Sequence, residues 1–189
     1  RPDTGLVSVM YVNNETGAVN PVQRIGKYCS QNGILFHTDC VQAAGCLPVR
    51  VDELCCDFAT ISSHKIHGPK GAGAVYVRNP ELCNPVIPGG ANQEFGLRGG
   101  TENVPTIVGF GQAAEDVLRC YRERTSHIEH LKDMFLQIIK EQLKDDLTVN
   151  GPECFWPGKV LNCSVSGIDG SRPAGKSRPA ARALSGLRI

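Results

Sequence analysis

Polar and apolar positions change rhythm several times along the chain, and each change predicts an element. Residues 6–12 (Leu-Val-Ser-Val-Met-Tyr-Val) are a short, almost unbroken apolar run of strand length. The cluster Asn13-Asn14-Glu15-Thr16-Gly17 that follows is turn chemistry. Residues 21–32 read as a helix: Pro21 suits a first turn, Ile25 and Cys29 share a face, and Asn32-Gly33 can end it. Residues 34–38 and 58–62 are strands again. Residues 64–73 form a glycine-containing loop, and residues 74–77 return to strand.

Strands alternating with helices over short links predict an α/β domain with a largely parallel sheet. Such sheets place ligand sites at the carboxyl ends of their strands. Residues 13–15, 38–42 and 63–65 are polar clusters directly after predicted strands, so they are expected at one sheet edge. In the second half, residues 105–120 read as a helix. A second helix is expected from Ser126, where Ser126-His127-Ile128-Glu129 fits a capping box, with Leu131, Phe135, Ile138, Ile139 and Leu143 as its apolar stripe. Residues 147–150 and 159–165 are short strands, which together resemble the start of a smaller α+β domain.

Composition narrows this picture. Twenty Lys+Arg against 19 Asp+Glu leave a net charge of +1, which argues against a nucleic-acid partner. No apolar run reaches the ~18 residues of a membrane span, and no secretory signal is evident. The nine cysteines are odd in number and irregularly spaced, unlike a secreted disulfide framework. Reduced thiols in a cytoplasmic setting are expected. The one uneven region is the end: from Gly170 on, Arg172, Lys176, Arg178, Arg182 and Arg188 stand without an acid, in no helical or strand period. Residues 171–189 are expected to be a disordered basic tail, and both ends of the chain read as cut.

Several residues could carry chemistry. Lys65 follows a buried strand, where desolvation can lower a lysine pKa and suit it to Schiff-base chemistry; a solvated loop lysine is the plain alternative. A carboxylate buried at Asp39 needs a positive partner, which a cofactor pyridinium or a structural ion pair would supply equally. Gln42 can lie on the same side. Asn14 can stabilise its own turn, and Ser62 can be an ordinary strand-end hydroxyl. His37, Cys40, Cys55, Cys56, His64 and His67 lack the paired spacing of a zinc site, and Cys55-Cys56 reads as core packing. No metal is expected.

Taken together, four stretches resemble the cysteine desulfurases of the NifS/IscS type and the closely related selenocysteine lyases. They are Val9-Met10-Tyr11-Val12-Asn13-Asn14-Glu15-Thr16-Gly17, His37-Thr38-Asp39-Cys40-Val41-Gln42, Ser62-Ser63-His64-Lys65-Ile66-His67-Gly68-Pro69-Lys70-Gly71 and Leu97-Arg98-Gly99-Gly100-Thr101-Glu102-Asn103. They appear in that family's order and spacing, and the resemblance covers about residues 5–170. It implies the pyridoxal 5′-phosphate (PLP)-dependent transferase fold type I, similar to aspartate aminotransferase. Residues 1–104 would be part of the large domain, 105–125 a connecting helix and 126–170 part of the small domain.

The resemblance also implies roles. Lys65 matches the lysine that carries PLP and moves protons between the substrate Cα and the cofactor. Asp39 matches the carboxylate on the pyridinium nitrogen, which keeps the ring an electron sink. Gln42 matches the donor to the phenolate oxygen, and Asn14 a side chain beside the same ring edge. Ser62 and His64 match phosphate ligands. Thr101 matches a phosphate ligand donated across a homodimer interface. The implied reaction takes sulfur from L-cysteine, leaving L-alanine and an enzyme persulfide for a sulfur-acceptor protein in iron–sulfur cluster or thiolation pathways. Selenocysteine lyase, another class-V aminotransferase-like enzyme and a non-catalytic fragment are the alternatives.

The chain departs from this family in two places. The family's reactive cysteine lies on a loop beyond the stretch matching residues 160–165. No cysteine follows Cys163 here, and neither Cys154 nor Cys163 matches that nucleophile, so no turnover is expected from these residues alone. Around residues 89–95 one residue is added, and Phe95 stands where an arginine is common.

Overall fold

The computed structural model describes residues 1–90, 92–151 and 159–167. Contacts divide the chain into two compact units: Arg1–Tyr11 with Pro21–Arg119, and Val12–Asn20 with the residues from Cys120 onward.

The first unit is built on a four-stranded sheet of order β1-β2-β3-β4. Its strands are β1 (Leu6–Met10), β2 (Leu35–Asp39), β3 (Phe58–Ser62) and β4 (Gly73–Val77). β1, β2 and β3 run parallel, with Met10, Asp39 and Thr60 in register near their carboxyl ends. β4 is antiparallel to β3, because residues 63–72 are too few for the crossover a parallel neighbour needs. Helix α1 (Val22–Gln31) joins β1 to β2 and buries Val22, Gly26 and Cys29. It ends where expected: Asn32 closes on the Cys29 carbonyl, and Gly33 takes a φ of +66°. A short helix α2 (Val51–Leu54), not expected from the sequence, precedes β3 and buries Leu54.

Strand alternation sends Phe36, Thr38 and Ala59 into the core beside Val22, Cys29 and Leu54. Gly26 is obligatory there, since a Cβ would overlap the Leu54 carbonyl and press on Phe36. The opposite face carries His37, Asp39, Thr60 and Ser62 and is only partly covered, with Val75 56 % exposed.

Helix α3 runs unbroken from Val104 to Leu143 and passes from the first unit into the second. The separate helix expected from Ser126 is therefore corrected. A capping box caps only where the preceding residue leaves helical geometry, and no Gly or Pro lies between residues 112 and 143 to force that. The adjacent Thr125 hydroxyl instead donates to the Tyr121 carbonyl inside the helix (2.9 Å). The stripe is also rotated from expectation. Leu131 and Ile138 are exposed, whereas Lys132 and Ile139 are buried, with Leu136 half-buried between them.

In the second unit β5 (Leu147–Asn150) pairs antiparallel with β6 (Asn162–Val165). Val12, Ile139 and Leu161 are its buried apolar residues among those described. Cys154 and the basic tail of residues 171–189 lie outside the described residues.

Candidate active site

Two carboxyl strand ends lie side by side in the first unit. β2 delivers Asp39, and β3 delivers Ser62 and then a 3₁₀ turn, Ser63–Ile66, that carries His64 and Lys65. The Cys40 amide donates to the Thr60 carbonyl (2.9 Å), so the ladder continues past Asp39 and fixes it beside β3. One Asp39 oxygen, Oδ1, accepts the Val41 amide (2.8 Å). Ser62 Oγ and His64 Nδ1 are hydrogen-bonded at 2.8 Å. His64 is exposed; Asp39, Gln42, Ser62 and Lys65 are half-buried.

The backbone holds the lysine turn tightly. Ser63 is fully buried, and the Gly68 amide donates back to its carbonyl (3.0 Å). A side chain at Gly68 would overlap the Ser63 hydroxyl. His67, given no role by the sequence, ends the turn with a φ of +69°, a left-handed conformation that costs about 1–2 kcal/mol outside glycine. Gln42 sits in the turn that leaves β2. That turn meets the lysine turn where Gly45 faces Ile66, and both seat on α3: Gly109 against Pro69, Ala113 against Gly68, Val117 against Gly45. Small or β-branched residues at four-residue spacing were the sequence signal for this seat, and it is easily missed.

The structure thus brings Asp39, Gln42, Ser62, His64 and Lys65 to one region. Thr101 is exposed on the segment before α3. The loop ahead of it is braced by Gln93, which accepts the Gly90 amide (3.0 Å) and donates to the Gly100 carbonyl (3.0 Å). Within that loop Phe95 is 91 % exposed at a φ of +57°.

Asn14 belongs to the second unit, in the turn of residues 13–17. The turn-stabilising role that the sequence left open for Asn14 falls to Asn13. Its Oδ1 accepts the Glu15 amide (2.9 Å), the Thr16 amide (2.9 Å) and the Thr16 hydroxyl (3.1 Å). Asn14 instead donates to the Glu15 carboxylate (3.0 Å).

Two further features were not read from the sequence. His37 bridges strands through Ser8 Oγ (2.7 Å) and Thr60 Oγ1 (3.4 Å), on the face that carries Asp39. Asn162 on β6 reaches the Glu15 carbonyl. The eight cysteines among the described residues are free thiols. Cys56 is buried, whereas Cys55 is half-buried in a left-handed conformation at the end of α2, so only one of that pair is core packing. Burial pushes the Cys163 thiol up, offset in part by the Lys140 ammonium, which disfavours a reactive thiolate on β6. Among the described residues no helix is long and apolar enough to cross a membrane.

Comparison with known proteins yields a consistent set of likenesses. The aminotransferase class-V profile matches residues 1–173. The cysteine desulfurase IscS of Rickettsia bellii is 44 % identical over 169 residues, covering 88 % of this chain and 41 % of the relative. The mitochondrial cysteine desulfurase of Saccharomyces cerevisiae is 45 % identical over 174 residues, covering 90 % and 34 %. The chain therefore spans about two fifths or less of the length of these relatives. Among solved structures, a NifS-like protein from Rickettsia africae superposes with a TM-score of 0.82 at 31 % identity, covering 89 % of this chain and 46 % of that one. SspA in complex with cysteine gives 0.58 at 46 % identity, covering 61 % and 33 %.

Proposed function

The chain belongs to the aminotransferase class-V family, and on that premise we propose that it is the cofactor-holding portion of a PLP-dependent cysteine desulfurase. The whole enzyme would take L-cysteine and give L-alanine, its sulfur passing to the thiol of a nucleophilic cysteine as a persulfide for an acceptor protein. Neither Cys154 nor Cys163 matches that cysteine, and no turnover is expected from these residues alone. The observation that carries this reading is the placement of Asp39 beside the Ser62 and Lys65 turn at the carboxyl ends of parallel strands. The desulfurase relatives and the cysteine-bound structural neighbour support it.

The donor set fits PLP. Asp39 offers a carboxylate to a pyridinium nitrogen. The Ser62–His64 pair offers a hydroxyl and an imidazole to a phosphate, and Lys65 an amine to an aldehyde. When bound, PLP supplies an electron-withdrawing ring that stabilises negative charge at the substrate Cα. Asp39 would hold the ring nitrogen protonated, Gln42 would donate to the phenolate oxygen, and Lys65 would move a proton at the substrate Cα. By the resemblance, Asn14 would serve the same ring edge.

Thr101 would complete the phosphate site of a second copy in a homodimer. The exposed apolar Phe95, Val104, Ile107 and Val108 around the same segment support a surface covered in that way. Residues 1–104 then form part of the PLP-binding domain, with residues 105–125 connecting it to a small domain at 126–170. A cytoplasmic setting suits the free thiols.

The test is the visible spectrum of the chain with added PLP, beside Lys65→Ala. The wild type is expected to develop a lysine-dependent band that the variant lacks. Identical spectra would overturn the reading.

A further inference from the structure

The turn of residues 13–17 is braced from within by Asn13, but its outward Glu15 carbonyl is held by a residue far along the chain. Asn162 Nδ2 donates to that carbonyl at 3.1 Å. Asn162 is fixed in turn: Asn150, its partner across the β5–β6 ladder, donates to Asn162 Oδ1 at 2.8 Å and to Ser164 Oγ at 2.7 Å. With its oxygen occupied by a donor, the Asn162 carboxamide can present only its NH₂ to the turn. All of these groups lie in the second unit.

We propose that Asn162, oriented by Asn150, is a positioning residue. It latches the Glu15 carbonyl and so fixes the turn that presents Asn14. The inference rests on the reading of Asn14 as a cofactor-edge residue and deepens it. Neither asparagine touches the reacting atoms; both act through the turn. The chemistry requires a carboxamide at residue 162. An aspartate of the same shape would still accept from Asn150, but would set an oxygen against the Glu15 oxygen.

Two measurements on the full chain test this. The first needs no cofactor: hydrogen exchange of the amides of Asn13, Glu15, Thr16 and Gly17. Asn162→Asp and Asn150→Ala are each expected to speed their exchange roughly three- to tenfold, the worth of one lost hydrogen bond, while β1–β4 amides keep their rates. Unchanged turn exchange in both variants overturns the latch. Asn150→Ala keeps the test valid if Asn162→Asp fails to fold, because it leaves Asn162 in place and removes its orienting bond together with the one to Ser164.

The second is a double-mutant cycle read on the visible band of bound PLP and its pH midpoint. Asn14→Ala and Asn162→Asp should move the midpoint in the same direction. Asn162→Asp should add nothing once Asn14 is gone. A residue with only a structural role would leave the midpoint alone or add its effect in full, and either outcome overturns the positioning role. If Asn14→Ala itself leaves the band unchanged while Lys65→Ala abolishes it, the reading of Asn14 fails, and the latch is judged by exchange alone.

Discussion

The two edges of the four-stranded sheet use the same kinds of side chain to opposite ends. At the amino edge, Asp57 and Arg78 are spent on the fold. Asp57 accepts the amide of fully buried Phe36 (2.8 Å) and stands 3.7 Å from the Arg78 guanidinium. Arg78 donates twice to the Cys56 carbonyl (3.1 and 2.9 Å). A cavity of about 520 Å³ opens beside them, lined also by Ser30, Asp52 and Cys55, yet Asp57 and Arg78 in its wall already serve backbone groups. At the carboxyl edge Asp39 spends one oxygen on the Val41 amide, while Ser62 and His64 serve each other and His64 stays exposed. A carboxylate near a cation is therefore no sign of chemistry by itself. Both aspartates accept a backbone amide, so what separates them is the strand end on which each sits and the arginine that stands beside Asp57.

Exchanging the two aspartates for alanine gives the sharpest test of that contrast. Asp39→Ala is expected to weaken PLP binding roughly ten- to a hundredfold, the worth of a hydrogen bond to a charged group, and to cost only about 1 kcal/mol of unfolding free energy through the half-buried Val41 amide. Asp57→Ala should do the reverse, costing about 2 kcal/mol by orphaning the buried Phe36 amide and leaving cofactor affinity alone. Urea unfolding and PLP titration of both variants check this. Parallel losses in the two would dissolve the contrast between the edges.

The sequence reached the carboxyl edge because strand ends, polar clusters and a glycine-flanked lysine are local signals. β3 and β5 fall where the hydrophobic pattern sets them. What it missed is non-local. The Asn162–Glu15 bond joins residues 147 positions apart and leaves no trace in any window. Residues 126–129 carry the letters of a helix start, but the chain around them never leaves the helix. The seat of α3 on the lysine turn is written in Gly109, Ala113 and Val117, whose small size has meaning only once Pro69, Gly68 and Gly45 are known to face them.

Gly26 offers a perturbation of the core that touches neither aspartate. Gly26→Ala drives a methyl into the Leu54 carbonyl and against Phe36. It is expected to cost about 1–3 kcal/mol, as overpacking of a tight core does. Phe36 lies on the same strand as Asp39, so a rigid strand would carry the strain to the site. If the edges are independent, PLP affinity measured well below the melting temperature should be unchanged. A matching loss of affinity would show that β2 transmits the strain along its length.

The finest division lies between neighbours at the carboxyl edge itself. Asp39 is half-buried on the site face, and Cys40, one residue on, is fully buried. Burial pushes the Cys40 thiol up to about 11 from an ordinary 9.0, with the Thr38 hydroxyl offsetting part of the rise. A thiol so raised holds few thiolates near neutrality, so Cys40 should resist alkylation in the folded chain despite its place beside the site. The sign for stability follows. Because the folded state holds the Cys40 proton more tightly than the unfolded state, the contribution is complete below about pH 9 and is lost as pH rises through about 11. The loss amounts to about 2–3 kcal/mol. Replacing Cys40 with alanine should flatten the fall of unfolding free energy across that alkaline window while leaving its slope near neutrality unchanged. An equally steep alkaline fall in Cys40→Ala would place the titrating group elsewhere, and ready alkylation of Cys40 in the native chain would show that strand alternation does not seal this residue from the site face.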